Sequence, residues 1–175
     1  MIAVFIIAAL CVAADQITKY LAVQNLYPDK SVDVIEGVLR FTYTENRGAA
    51  FGSLSDHRWV FLVFSTLLII ALIGYTVWKH VKKMPMGWLE RIAIGLLIGG
   101  GIGNMIDRVA LGYVIDFIDF CAFPEVWKWI FNGADSFVCI GTPLLMIWIL
   151  LSDSKRSAKQ INENTESGAE NDEAE

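Results

Sequence analysis

Charge is scarce in this chain. Of 175 residues only 19% are Asp, Glu, Lys or Arg, against 55% hydrophobic, whereas a soluble domain carries about 25% charge. An ordinary water-soluble enzyme is therefore not the expectation. Histidine is nearly absent, with His57 and His80 alone, and no serine has an evident imidazole partner. Three cysteines, Cys11, Cys121 and Cys139, are too few and too scattered for a disulfide framework or a zinc site. Cys11 and Cys139 lie in apolar runs and read as small packed hydrophobes. Basic residues form no patch, so no nucleic-acid partner is expected. The formal charge of −5 comes mostly from residues 152–175, where seven acids face three bases.

What is abundant is long apolar sequence. A bilayer core of about 30 Å needs roughly 20 apolar helical residues, and four stretches qualify: about 1–22, 59–78, 88–106 and 134–151. The first lacks any Lys or Arg before Lys19 and so does not fit a cleavable signal peptide, which needs a basic n-region. Gly95, Gly99 and Gly103 make two overlapping small-xxx-small repeats in the third span, positions where helix backbones can approach closely in lipid. Lys79, Lys82 and Lys83 lie between spans two and three with Arg91 adjacent, and Lys155, Arg156 and Lys159 follow span four. The positive-inside rule makes both places cytoplasmic, so both termini face the cytoplasm and residues 23–58 and 107–133 face outward. Tryptophans at 59, 78, 88, 127, 129 and 148 fall near span ends, as an aromatic belt requires.

The outer segments are too rich to be plain connections. Ser31–Ile35 and Val38–Thr44 flank a Glu36-Gly37 turn signal, predicting a small β-sheet within a segment of about 30–52. Pro124–Phe131 reads as a short helix in the interfacial plane. From Gln160 onward the tail is expected to be disordered. The fold class is thus an all-α polytopic membrane protein with four transmembrane helices, a small extracytoplasmic β-sheet and a short interfacial helix. Residues 1–151 form one membrane domain and 152–175 an acidic cytoplasmic tail.

Ionisable groups at membrane depth are costly and by default mark a functional site. Here they gather near the outer ends of three spans: Asp15 and Lys19, four apart on one helix face; Asn104, Asp107 and Arg108; Asp116 and Asp119 in YVIDFIDF; Asn132 and Asp135 in FNGAD; and Asn46 with Arg47 in the outer loop. Asp15 and Lys19 also read as a helix ion pair, Asp107 and Arg108 as a helix end, Asp119 as solvated, and Asp135 as a first-turn acid of span four. Asp116 and Asp135 stand in apolar surroundings with no Lys or Arg beside them. Two carboxylates held close in a low dielectric cannot both ionise, and a pair sharing one proton can serve as base toward water and acid toward substrate. A metal on Asp116, Asp119 and Asp135 would have oxygen ligands, but no histidine favours zinc. An ion- or proton-coupled transporter also uses intramembrane carboxylates. It predicts polar groups in both membrane halves and internal repeats, neither of which is evident. A non-catalytic lipid-binding scaffold would leave the carboxylates dispensable.

DQITK at 15–19, NRGAAFG at 46–52, GGGIGNMIDR at 99–108, VIDFIDF at 114–120 and FNGADS at 131–136 together resemble the bacterial lipoprotein signal peptidases (signal peptidase II). The resemblance covers about residues 1–151, with the motifs in the family's order. It implies an intramembrane aspartic endopeptidase that cuts diacylglyceryl-modified prolipoproteins on the amino side of the lipidated cysteine, with no metal or cofactor. Asp116 and Asp135 correspond to its catalytic pair. Asn46, Asn104, Arg108 and Asn132 would bind substrate or hold the dyad, while Asp15, Lys19 and Asp107 would support them. The resemblance further implies prolipoprotein substrates and membrane lipids as partners, inhibition by globomycin, and residence in the bacterial cytoplasmic membrane with the site near the outer leaflet. A monomer is expected.

Overall fold

The computed structural model describes residues 1–28, 30–48 and 58–172. Four long helices carry the architecture: α1 (Ile2–Leu26), α2 (Arg58–Val81), α3 (Trp88–Ala110) and α4 (Gly133–Asp172). All four contain a stretch long and apolar enough to cross a bilayer. Their outward side chains are apolar as well: Leu10 is 65% exposed, Phe64 68% and Leu150 68%. In water this surface would be untenable, and lipid is the solvent that suits it.

α3 is the hub. α1, α2 and α4 all pack on it, while α2 and α4 scarcely meet. Its glycines set the approach. A Cβ at Gly99 would come within 2.5 Å of Cys11 Cβ and 2.8 Å of the Ala8 carbonyl on α1, and one at Gly100 within 2.5 Å of the Ala134 carbonyl on α4. On α1 the buried residues Val4, Ala8, Cys11, Asp15, Lys19, Ala22 and Leu26 follow three-and-four spacing, one stripe laid against α3. Cys11 packs as expected, but Cys139 is exposed.

A four-stranded antiparallel sheet of order β1-β2-β3-β4 covers one end of the bundle. β1 (Ser31–Ile35) and β2 (Leu39–Asn46) form the expected hairpin, turned by Gly37 at φ +70°. Residues 49–52, the remainder of the expected β-segment, lie outside the described residues. β3 (Val114–Phe120), which the sequence reading does not anticipate, pairs with β2 from Leu39↔Phe120 to Asn46↔Val114. A tight turn at Gly112, φ +85°, returns the chain from α3 into β3. Phe41, Tyr43, Phe117 and Ile118 seat the sheet on Ala22 and Leu26 of α1.

Three expectations are corrected. Pro124–Phe131 is not a helix: the Val126 and Trp127 amides both bond to the Phe123 carbonyl in a single turn, and the chain then extends into β4 (Ile130–Phe131). An eight-residue helix has little stability of its own, whereas β3 offers a free edge at Ile118 and Asp119, which the aromatic and β-branched residues fit. The tail from Gln160 does not leave the helix, since α4 runs on to Asp172. Adding residues to an existing helix avoids the cost of nucleation, and Gln160, Glu163, Glu166, Ala169 and Glu170 favour propagation. Lastly, Lys79 is not in the connection but in the last turn of α2, where it forms a buried ion pair, Nζ–Oε1 2.7 Å, with Glu90 in the first turn of α3, at the end away from the sheet.

The glycine seam gives the first prediction. Gly99→Ala forces a methyl against Cys11 and Ala8, and overpacking of this kind costs about 1–3 kcal/mol. The expected outcome is a lower midpoint of thermal unfolding in detergent. Gly74→Ala, at a helical site with nothing within 4 Å of the added carbon, should leave the midpoint unchanged or raise it.

Candidate active site

The site begins with one buried cation. Lys19, 2% exposed, places Nζ 2.8 Å from Asp15 Oδ2 and 2.9 Å from Asp107 Oδ2, and donates to Asn104 Oδ1 at 3.0 Å. An isolated ammonium here would be very costly, and two carboxylates with further hydrogen bonds offset that cost. The carboxylates reach further. Asp15 Oδ1 accepts the Ala134 amide at 2.9 Å, one of the orphan N–H groups at the start of α4. Asp107 Oδ2 accepts the Ile115 amide at 3.1 Å. Lys19 and its partners thereby lock α1, α3, β3 and α4 together. Gln16, which the sequence reading passes over, donates to Asp107 Oδ1 at 3.0 Å and to the Gly103 carbonyl at 3.2 Å. Its place inside DQITK is the only signal that marked it.

Asp116 and Asp135 are held together by amides. Asn132, wholly buried, donates from Nδ2 to Asp116 Oδ1 at 2.6 Å, and its backbone N–H donates to Asp135 Oδ2 at 3.3 Å. Asn132 Oδ1 accepts the Asp135 amide at 2.9 Å, completing a reciprocal capping box at the start of α4. The first-turn role considered for Asp135 is therefore real, and it occupies only one oxygen. The other, Oδ1, accepts from Asn104 Nδ2 at 2.7 Å. Asn104 Oδ1 in turn takes donors from both Lys19 and Asn132, which fixes its amide orientation.

Asp116 is delivered by β3. Register sets it opposite Thr44, two residues before Asn46 at the end of β2, and Asn46 Nδ2 donates to Asp116 Oδ2 at 2.8 Å. Among the described residues no lysine or arginine lies within ion-pair distance of Asp116 or Asp135. Burial, reinforced by the neighbouring Asp135 charge, pushes Asp116 up to about 7, against the Asn46 and Asn132 bonds and the Lys19 charge that pull it down. A proton is thus retained near neutrality.

The remaining candidates separate. Arg108, on the last turn of α3, makes a 3.4 Å bond to the Asn104 carbonyl and, among the described residues, no ion pair, leaving donors available. Arg47 pairs with Glu45 at 2.8 Å and lies over the Tyr113 ring. Asp119 is not simply solvated: Arg40, its partner across β2 and β3, holds it at 2.6 Å, away from the dyad.

An amide-braced carboxylate pair, Asp116 buried and Asp135 half-buried, with no cation at ion-pair distance among the described residues and at one end of a bundle of membrane-spanning helices, fits an aspartic hydrolase of the membrane. The family model described as Signal peptidase (SPase) II matches residues 7–151. The lipoprotein signal peptidase of Caldanaerobacter subterraneus subsp. tengcongensis is 45% identical over 140 residues, 80% of this chain and 90% of that protein. That of Bacillus subtilis (strain 168) is 38% identical over 156 residues, 89% and 98%. Two solved structures titled as bacterial membrane enzymes, each 37% identical, superpose with TM-scores of 0.75 and 0.71, covering 87% and 84% of this chain and 90% and 92% of theirs. The chain belongs to the signal peptidase II family and is an aspartic signal peptidase.

Lys19→Met is expected to destabilise the protein by about 3–5 kcal/mol, because it leaves Asp15 and Asp107 buried without their cation. Adding Asp107→Asn removes one stranded charge and should recover part of the loss. Thermal unfolding of the single and double variants measures both.

Proposed function

We propose that Asp116 and Asp135 hydrolyse the peptide bond on the amino side of a diacylglyceryl-modified cysteine, releasing the signal peptide of a prolipoprotein within the membrane. The observation that carries this is the Asn132 bridge, which joins the buried Asp116 carboxylate to the half-buried Asp135 carboxylate with, among the described residues, no cation at ion-pair distance. One carboxylate of the pair is ionised and the other protonated. The ionised member takes a proton from water as the water oxygen attacks the scissile carbonyl carbon, and the protonated member gives its proton to the carbonyl oxygen. Collapse of the tetrahedral diol breaks the C–N bond. The amide nitrogen leaves with a proton from the pair, and a hydroxyl proton of the diol returns to it, so one water is consumed and the one-proton state is restored. The shared proton belongs to the pair and not to one residue.

Asn46 and Asn132 hold Asp116, Asn104 holds Asp135, and Arg108 offers its free donors to substrate carbonyl or lipid-linked oxygens. Asp15, Lys19 and Asp107 keep the frame in register. The sheet lies on the outer face of the cytoplasmic membrane, with both termini and the Lys79–Lys83 corner inside, so the dyad meets water from outside and lipid from the side. Residues 1–151 form the peptidase unit and 152–175 a cytoplasmic extension. The enzyme acts as a monomer, in contact with membrane lipid, and binds globomycin-type inhibitors at the dyad.

Asp116→Asn and Asp135→Asn should each reduce cleavage of a lipidated precursor by about 10²–10⁴-fold with membrane insertion intact, read by a gel shift of the precursor. Near wild-type processing by either variant sinks the assignment. The pH profile has a sign. With Asp116 at about 7, raising pH past that value removes the shared proton and activity falls. Asn46→Ala deletes a bond that favours the charged carboxylate, so the alkaline limb should move to higher pH.

A further inference from the structure

At the end of the bundle away from the dyad a cavity of about 760 Å³ opens between α2 and α4 over α3. Its walls include Tyr75 and Trp78 of α2 and Trp148 and Asp153 of α4, and Lys79 and Glu90 line it as well. Lys79 and Glu90 neutralise each other, with Nζ 2.7 and 3.0 Å from the two carboxylate oxygens. Asp153 is exposed and, among the described residues, unpaired, so the lining is left with one net negative charge. The aromatic walls already hold an ammonium: Lys79 Nζ lies 5.5 Å from the Trp148 ring and 5.7 Å from that of Tyr75, within the range of cation–π attraction.

This cavity and the carboxylate pair lie at opposite ends of α3. α2 and α4 pack on α3 but scarcely on each other. At about 100° per residue, Glu90, Leu97, Gly101 and Arg108 fall on one face of α3. That face is flanked by α2, whose Ile69 approaches Gly101, and by α4, whose Gly141 approaches Leu97. From Glu90 to Arg108 is five turns, about 27 Å, and from Asp135 to Trp148 along α4 is about 20 Å. A signal peptide has a basic n-region followed by about 7–15 apolar residues, or roughly 10–22 Å as helix.

We infer that the Tyr75–Trp78–Trp148–Asp153 cavity receives the basic n-region of the signal peptide, while the dyad acts at the other end of the same segment. This rests on the proposed function. The length of α3 then measures the signal peptide, with a cation anchored at one end and the scissile bond presented at the other.

The test is steady-state cleavage in vesicles of two lipidated precursors that differ only in the n-region, one with its Lys and Arg intact and one with each changed to Gln. The wild type should show a KM about three- to tenfold higher for the Gln form, as expected for cation–π and exposed ion-pair contacts, with kcat unchanged. Asp153→Lys should abolish that preference, and should favour a third precursor with a Glu-bearing n-region. Equal KM for the first two precursors overturns the inference and leaves the peptidase reading intact. Cleavage of none of them overturns both. A preference that persists in Asp153→Lys, and that changes when phosphatidylglycerol replaces part of the phosphatidylcholine, assigns the n-region to the lipid surface and likewise overturns the inference.

Discussion

The interaction on which the rest depends is the contact of one ammonium, that of Lys19, with two carboxylates and an amide at the inner corner of three helices. A charge of this kind is admitted to the interior only when its partners are already in place, so its presence specifies geometry more than it supplies stability. Asp15 uses its second oxygen on the first turn of α4, and Asp107 offers the same oxygen that meets Lys19 to the backbone of β3. A displacement of α1 by one residue would break the Lys19 contacts and the Asp15–Ala134 bond at once. The four elements that meet at the dyad are therefore placed by a single charge balance.

That balance needs close helices. α3 offers glycine to α1 at 95, 99 and 103, and to α4 at 100. Gly103 belongs to both requirements, since a Cβ there would meet Asp15 Oδ2. The seam and the ion cluster are then one design: small residues bring α1 near enough for Asp15 and Lys19 to reach the end of α3. In lipid, where apolar side chains gain nothing by leaving solvent, packing and polar contacts of this sort hold helices together.

The sequence displayed the spans plainly, because about 20 apolar residues in a row serve few other purposes. It also displayed most of the site, because a charge at membrane depth has to be justified. Other features depend on partners remote in sequence. Whether Asp116 or Asp119 joins Asp135 is decided by strand register: Arg40 faces Asp119 and claims it. VIDFIDF has the residues of a strand, yet its partner begins some 70 residues earlier. Pro124–Phe131 looks amphipathic in isolation and becomes β4 because β3 has an open edge. Lys79 and Glu90 look like ordinary flanking charges until α2 and α3 are set side by side, and Gln16 carries no mark of its contacts.

Asp135 shares a capping box with Asn132, so a carboxylate of the proposed dyad is also the fastening of the helix that bears it. A motion that withdrew the acid from its partner would have to unwind the first turn of α4, exposing amides to hydrocarbon. The dyad side of the site is in this sense a fixed anvil. Under the proposed reaction, adjustment to different precursors is left to the sheet and the side chains around it, and the Asp116–Asp135 pair keeps the same spacing whichever polypeptide is presented.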